Sequence, residues 1–234
     1  MRFRIDLKIF ILIILFLITN QIKIYAMIMI FAIIHEFGHL LAGLIVGMKP
    51  EKIEIRPLGV SIEFNIKEKD YNVKIKKGNL LEVKKIFVAL AGPLTNALII
   101  CILSIVDITN ISYNDKLLMI YSNILLIIFN IFPIYPLDGG RILKGIIYLL
   151  KGKYIAEKYI YNISFITLII LTIFASIIIL YLRNIAIFLA IMFLWGILIR
   201  EKVIYENRKI LYKNIDCELK NLKNLKNPIE NKLI

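Results

Sequence analysis

Residues 35–39 read His35-Glu36-Phe37-Gly38-His39, and these two histidines are the only ones in 234 residues. On an α-helix, positions i and i+4 share a face, so both imidazoles can reach one metal ion. Glu36 projects beside them, placed to take a proton from an attacking water. H-E-x-x-H is therefore a pattern for metal-assisted hydrolysis; its bland alternative is a structural His/Glu cluster hydrogen-bonded between helices. The setting favours chemistry. The motif directly follows Met27-Ile28-Met29-Ile30-Phe31-Ala32-Ile33-Ile34, and an ionised glutamate inside such a run is costly unless it is satisfied.

Two histidines leave a catalytic zinc one protein ligand short. With no third histidine in the chain, the obvious donor is Asp138, in Asn130-Ile131-Phe132-Pro133-Ile134-Tyr135-Pro136-Leu137-Asp138-Gly139-Gly140-Arg141. The prolines and glycines break helix geometry there and let the chain turn a carboxylate inward. Asp107 and Asp115 fall in a polar connection and suit solvent. The competing role for Asp138 is a helix cap at the membrane boundary. Two imidazoles and a carboxylate predict one zinc ion per chain, although such a set can also hold another divalent ion.

The elements that must position these groups are hydrophobic. Of the residues, 59% are apolar and mean hydropathy is +0.78, against roughly 45–50% apolar in a soluble domain. That excludes an ordinary soluble enzyme and a disordered tail, and Cys101 and Cys217, one in an apolar run and one in a polar tail, do not make a disulfide scaffold. Crossing a bilayer takes about 20 mostly apolar residues. Runs at 9–22, 25–46, 86–106, 117–136, 160–182 and 185–199 approach or meet that length. The expected fold is an all-α membrane protein, a polytopic bundle of about six helices. The run 142–150 is too brief to span and reads as a re-entrant or interfacial piece. Arg2 and Arg4 before the first run resemble a signal peptide, but no small-x-small cleavage site follows, so an uncleaved span is expected.

Net charge is +13, and its distribution explains it. With a cytoplasmic N-terminus, the inner segments 1–8, 47–85, 137–159 and 200–234 hold 27 of the 30 Lys+Arg, and the outer connections hold Lys23, Lys116 and Arg183. This is the positive-inside pattern of a multi-pass cell-membrane protein with both termini cytoplasmic. The excess charge needs no nucleic acid; anionic lipid is its natural partner. Between the second and third spans, Ile53 and Ile55, then Val60, Ile62, Phe64 and Ile66, alternate across Pro and Gly breaks, which predicts a small β-ribbon; Val73 and Ile75 alternate again. The sequence divides into a membrane domain over 1–200 and a short basic tail over 201–234. Ile204, Leu211, Ile215, Leu219, Leu222 and Leu225 of that tail have roughly helical spacing, as a lipid-surface or partner-docking helix would.

These residues resemble the site-2 proteases, the intramembrane zinc metalloproteases. HEFGH at 35–39 is similar to their first motif, Leu137-Asp138-Gly139 to their second, and Ala91-Gly92-Pro93-Leu94-Thr95-Asn96 to their A-G-P-x-x-N segment. The N-x-x-P-x-x-P-L-D-G-G pattern over 130–140 looks most like the bacterial subgroup containing the stage IV sporulation protease, which removes the pro-sequence of a late sporulation sigma factor. The resemblance covers about residues 25–145. It implies that His35, His39 and Asp138 ligate zinc and that Glu36 is the general base. Asn130 and Pro133 would orient the substrate, and Gly59, Val60 and Ile62 of the ribbon would pair with an unwound substrate strand. Asn96 reads as a structural polar residue, and Ala91, Gly92 and Pro93 as sites of close helix approach. That subgroup's nucleotide-sensing C-terminal domain is not expected in the roughly 35 residues after Ile199.

The resemblance implies a metalloendopeptidase acting on a membrane-associated protein, with a pro-sigma factor as substrate and inhibitory membrane proteins as further partners. His35 and Glu36 lie about 15 Å along the helix from its inner end at Val46, so cleavage is expected near the cytoplasmic side. Two alternatives remain open at this stage. One is a general site-2 protease acting on an anti-sigma factor or other regulator. The other is a non-proteolytic membrane metal-binding or transport protein. Against the transporter, the spans beyond Asp138 carry little polarity besides Ser164, Thr167, Thr172 and Ser176.

Overall fold

The computed structural model describes residues 2–5, 17, 22–56, 59–65, 75–106, 112–182, 191–192, 194–210, 214 and 217–218. In chain order the elements are β1 (Arg2–Ile5), α1 (Ile22–Ile45), β2 (Lys49–Arg56), β3 (Gly59–Asn65), α2 (Ile75–Ile105), α3 (Tyr113–Ile131), α4 (Asp138–Lys151) and α5 (Lys153–Leu182). Residues 194–210 are also helical. Among the described residues, four helices are long and apolar enough to cross a membrane: Ile22–Ile45, Asn79–Ile105, Tyr113–Ile131 and Lys153–Ile177. They correspond to the expected second to fifth spans of a multi-pass membrane protein. Of the expected first span, only Leu17 and Ile22 are described, and 185–190 of the expected sixth lies outside the described residues.

Span ends follow local chemistry. Gly47, at φ +79°, closes α1: Met48 N donates to Gly43 O at 2.9 Å and Gly47 N to Leu44 O at 3.0 Å. This is a Schellman cap, which a left-handed glycine adopts without strain, and it sends the chain straight into β2. The expected span 117–136 is corrected at both ends. Ser112 caps α3 by accepting the Asp115 N–H at 3.2 Å, so the helix begins at Tyr113. It stops at Ile131 because Pro133 disfavours helical backbone at Phe132, whose ψ is 137°. The run 142–150 belongs to the 14-residue helix α4.

The contact pattern divides the chain into two units, Met1–Ile160 and Tyr161–Ile234. In the first, Phe31, Ala32 and Leu126 form a buried cluster joined by Met27, Ile28, Ile34, Ile99 and Met119, which holds α1, α2 and α3 together. A stack of Gly145 on Ile86 brings α4 against α2; a Cβ at Gly145 would lie 2.6 Å from Ile86. In the second, Tyr161 and Tyr205 stack at 5.3 Å, Phe165 meets Trp195 edge-on at 6.0 Å, and Trp195 Nε1 donates to Thr172 Oγ1 at 3.1 Å. Thr172 and Ser176 return their hydroxyls to Leu168 O and Thr172 O.

The ribbon is present, with one strand more than expected. β2 pairs antiparallel with β3 (Ile53 with Ile62, Ile55 with Val60, Arg56 with Gly59), and β1 pairs parallel with β2 from Arg2–Lys52 to Ile5–Ile55. The sheet order β1-β2-β3 leaves β3 at one edge. Ile75 starts α2 rather than continuing the alternation, and Ile66 and Val73 lie outside the described residues. The N-terminal strand and the ribbon thus occupy one end of the bundle. Lys23 and Asp115 form an ion pair at the starts of α1 and α3.

Candidate metal centre

α1 carries His35 and His39 on its buried face, at 2% and 3% exposure. The chain break at 132–137 delivers the third group. Ile134 is completely buried in it, Ile134 N donates to Phe132 O, and Leu137 N donates to Ile134 O. Gly139 and Gly140 let the start of α4 pass against this loop: a Cβ on Gly139 would lie 2.0 Å from Ile131 O, and one on Gly140 2.5 Å from Tyr135 N. Lys144 sits over the Tyr135 ring, 4.4 Å from its centroid. The cap of α4 is Leu137, not Asp138. The Asp138 carboxylate, 4% exposed, instead turns inward.

There Asp138 Oδ2 lies 3.0 Å from His35 Nε2 and 3.2 Å from His39 Nε2, and the two nitrogens are 3.2 Å apart. Donors held about 2.0–2.1 Å from one tetrahedral ion stand about 3.3 Å from each other. One oxygen and two nitrogens converging at these spacings fit a zinc ion, and they form the cluster of potential metal ligands found among the described residues. His39 Nδ1 donates to Val88 O at 2.7 Å. That bond leaves the Nε2 lone pair for the metal, the usual outer support of a ligating histidine. His35 Nδ1 is buried and has no hydrogen-bond partner among the described residues. Gly92 is the floor of the site: a Cβ there would lie 2.4 Å from His39 Nε2 and 2.5 Å from His35 Nε2. Any larger residue would occupy the point where the ligands meet.

Glu36 is half-buried next to His35 on α1. Asn130 is half-buried near the end of α3, and its Nδ2 donates to Leu126 O at 3.0 Å. Pro133 lies in the loop that leads to Asp138. Gly59, Val60 and Ile62 lie on β3, which approaches α1 where Phe64 packs on Gly43; a Cβ on Gly43 would be 2.3 Å from that ring. Asn96 is fully buried on α2, and neither of its amide atoms is hydrogen-bonded. Three contributors were not assigned their roles from sequence. Val88 acts through a backbone carbonyl, which no residue type signals. Gly92 was read only as a place of close helix approach. Arg141, Nη1 3.7 Å from Asp138 Oδ1, stood in the motif without a role.

Comparison with known proteins agrees with this geometry. The family description "Peptidase M50B-like" matches residues 8–134, and "Peptidase family M50" matches 107–174. The histidine motif falls in the first stretch and Asp138 in the second. A zinc metalloprotease of Methanocaldococcus jannaschii is 30% identical over 144 residues, 60% of this chain and 39% of the relative. The stage IV sporulation protein FB of Bacillus subtilis is 24% identical over 128 residues, 54% of this chain and 41% of the relative. The chain thus spans about two-fifths of the length of these curated relatives. The solved structure of a site-2 protease from M. jannaschii shares the fold, with a TM-score of 0.57, 24% identity, and coverage of 82% of this chain and 85% of that one. With more than half of the sequence matched by a single family description, and both halves of the ligand set inside matched segments, the chain belongs to peptidase family M50.

Proposed function

We propose that the chain is an intramembrane metalloendopeptidase. It hydrolyses a peptide bond of a membrane-associated protein near the cytoplasmic side, and the pro-sequence of a sporulation sigma factor is the substrate. The observation that carries the reading is the convergence of His35, His39 and Asp138 to within 3.0–3.2 Å of one another beside Glu36. A relative that bears a sporulation name supports the substrate. His35, Glu36 and His39 are reached from the inner end of α1, on the side of the membrane to which 27 of the 30 cationic residues are assigned. Both termini then face the cytoplasm, and the basic segment 201–234 lies against anionic lipid.

Bound at these three ligands, zinc supplies Lewis acidity that makes water a nucleophile near neutral pH and polarises a carbonyl. The protein does the rest. Glu36 takes the proton of the attacking water and passes it to the leaving nitrogen as the C–N bond breaks. The His39–Val88 hydrogen bond holds one imidazole in its ligating tautomer. A helical substrate hides its carbonyls in its own hydrogen bonds, so it must unwind first; the edge of β3, which pairs with no further strand among the described residues and carries Gly59, Val60 and Ile62, can hold the extended form. Asn130 at the end of α3 orients it from the other side.

Co-expression with a tagged pro-sigma factor tests the reading by a shift on a gel. Glu36→Gln should keep one zinc per chain and abolish the shift. Cleavage that persists in Glu36→Gln would sink the mechanism. Cleavage of an anti-sigma factor but not of the pro-sigma factor would keep the protease and move the substrate.

A further inference from the structure

Arg141 stands in the first turn of α4, three residues after Asp138, with Nη1 3.7 Å from Asp138 Oδ1. The two oxygens of Asp138 face different ways: Oδ2 meets the histidines, whereas Oδ1 faces the guanidinium. Arg141 is therefore one carboxylate away from the point where the ligands converge. Its side chain is 44% exposed while that of Asp138 is 6% exposed, so Arg141 joins the buried carboxylate to the accessible surface of the protein.

Holding Asp138 needs little of what Arg141 offers. A guanidinium carries five N–H donors in a planar fork, and the 3.7 Å approach is an ion pair too long for a hydrogen bond. Donors that point into a partly dry site toward developing negative charge act strongly on an acyl-transfer barrier. We infer that Arg141 is a catalytic residue that donates to the scissile carbonyl oxygen as it becomes an oxyanion. When the water oxygen bonds to the carbonyl carbon, the π electrons move onto the carbonyl oxygen and one proton of the water goes to Glu36. When the C–N bond breaks, the electrons return and the proton leaves with the amine. Arg141 neither gains nor loses a proton; it stabilises the charge in between.

The inference rests on the protease reading, and its test separates the two. The full chain in detergent is assayed with a fluorogenic peptide spanning the bond cleaved in the pro-sigma factor, and with a phosphinic analogue of that peptide. Wild type that cleaves no substrate would remove the protease reading itself. With wild type active, Arg141→Gln should lower kcat about 100-fold, the size expected for losing one oxyanion donor. KM and zinc per chain should stay unchanged, and the phosphinic analogue should bind correspondingly less tightly. Arg141→Lys should recover part of kcat, and added guanidinium at low millimolar concentration should raise the rate of Arg141→Ala. Zinc lost in parallel with activity would overturn the inference, because Arg141 would then only hold Asp138. An unchanged kcat, or a rise confined to KM, would overturn it as well.

Discussion

In the proposed reaction the metal centre and the β-ribbon have different parts, and they are specified in opposite ways. In the centre, apart from the Val88 carbonyl that supports His39, each contribution depends on a side chain of one type, or on its absence. Two imidazoles and a carboxylate meet within 3.0–3.2 Å, and Gly92 leaves the room they need. In the ribbon the contribution is backbone: a row of N–H and C=O groups along β3, fixed by pairing with β2. The centre should therefore respond to single substitutions with loss of metal, and the ribbon with weaker substrate binding at constant metal.

The largest effects are expected in the centre. Asp138→Asn replaces an anionic ligand and should take bound zinc from one per chain to near none by elemental analysis; unchanged zinc would remove Asp138 from the ligand set. Gly92→Ala carries the sharper message. It deletes no donor, but its methyl would sit 2.4–2.5 Å from both Nε2 atoms, so zinc should fall as it does for Asp138→Asn while the helical circular-dichroism signal stays. A Gly92→Ala protein that keeps its zinc would show that the ligands meet elsewhere.

An intermediate effect tests the other half of the contrast. Successive residues of a strand turn their N–H groups to opposite sides, so one of Val60→Pro and Ser61→Pro removes a group from the free edge of β3. That variant should raise KM about tenfold, or roughly 1.4 kcal/mol, with zinc per chain unchanged. If KM stays level in both variants, the substrate does not pair along β3.

The same contrast explains what could be read from the sequence. His35, Glu36 and His39 were legible because helical periodicity alone places both imidazoles on one face. Asp138 was legible because Pro133, Pro136, Gly139 and Gly140 announce a break beside a lone acid. Val88 and Gly92 were not, because their roles exist only once α2 lies against α1. β1 was hidden for a similar reason: four residues become a strand only by pairing with β2, about fifty positions away. Hydropathy located the spans but not their ends. The limits of α3 came from the Ser112 cap and from the effect of Pro133 on Phe132, not from apolar content.

The smallest effect should come from the far end of the bundle, where neither the centre nor the ribbon lies. Lys23 bonds Asp115 there. The pair is exposed, Lys23 at 65%, so solvent and salt screen it. Asp115→Asn should lower the thermal midpoint slightly at low salt, and not at all in 1 M salt. Zinc content, kcat and KM should not move. A change in any of these three would mean that the start of α3 is coupled to the centre, and the division between a side-chain-specified core and a tolerant periphery would have to be redrawn.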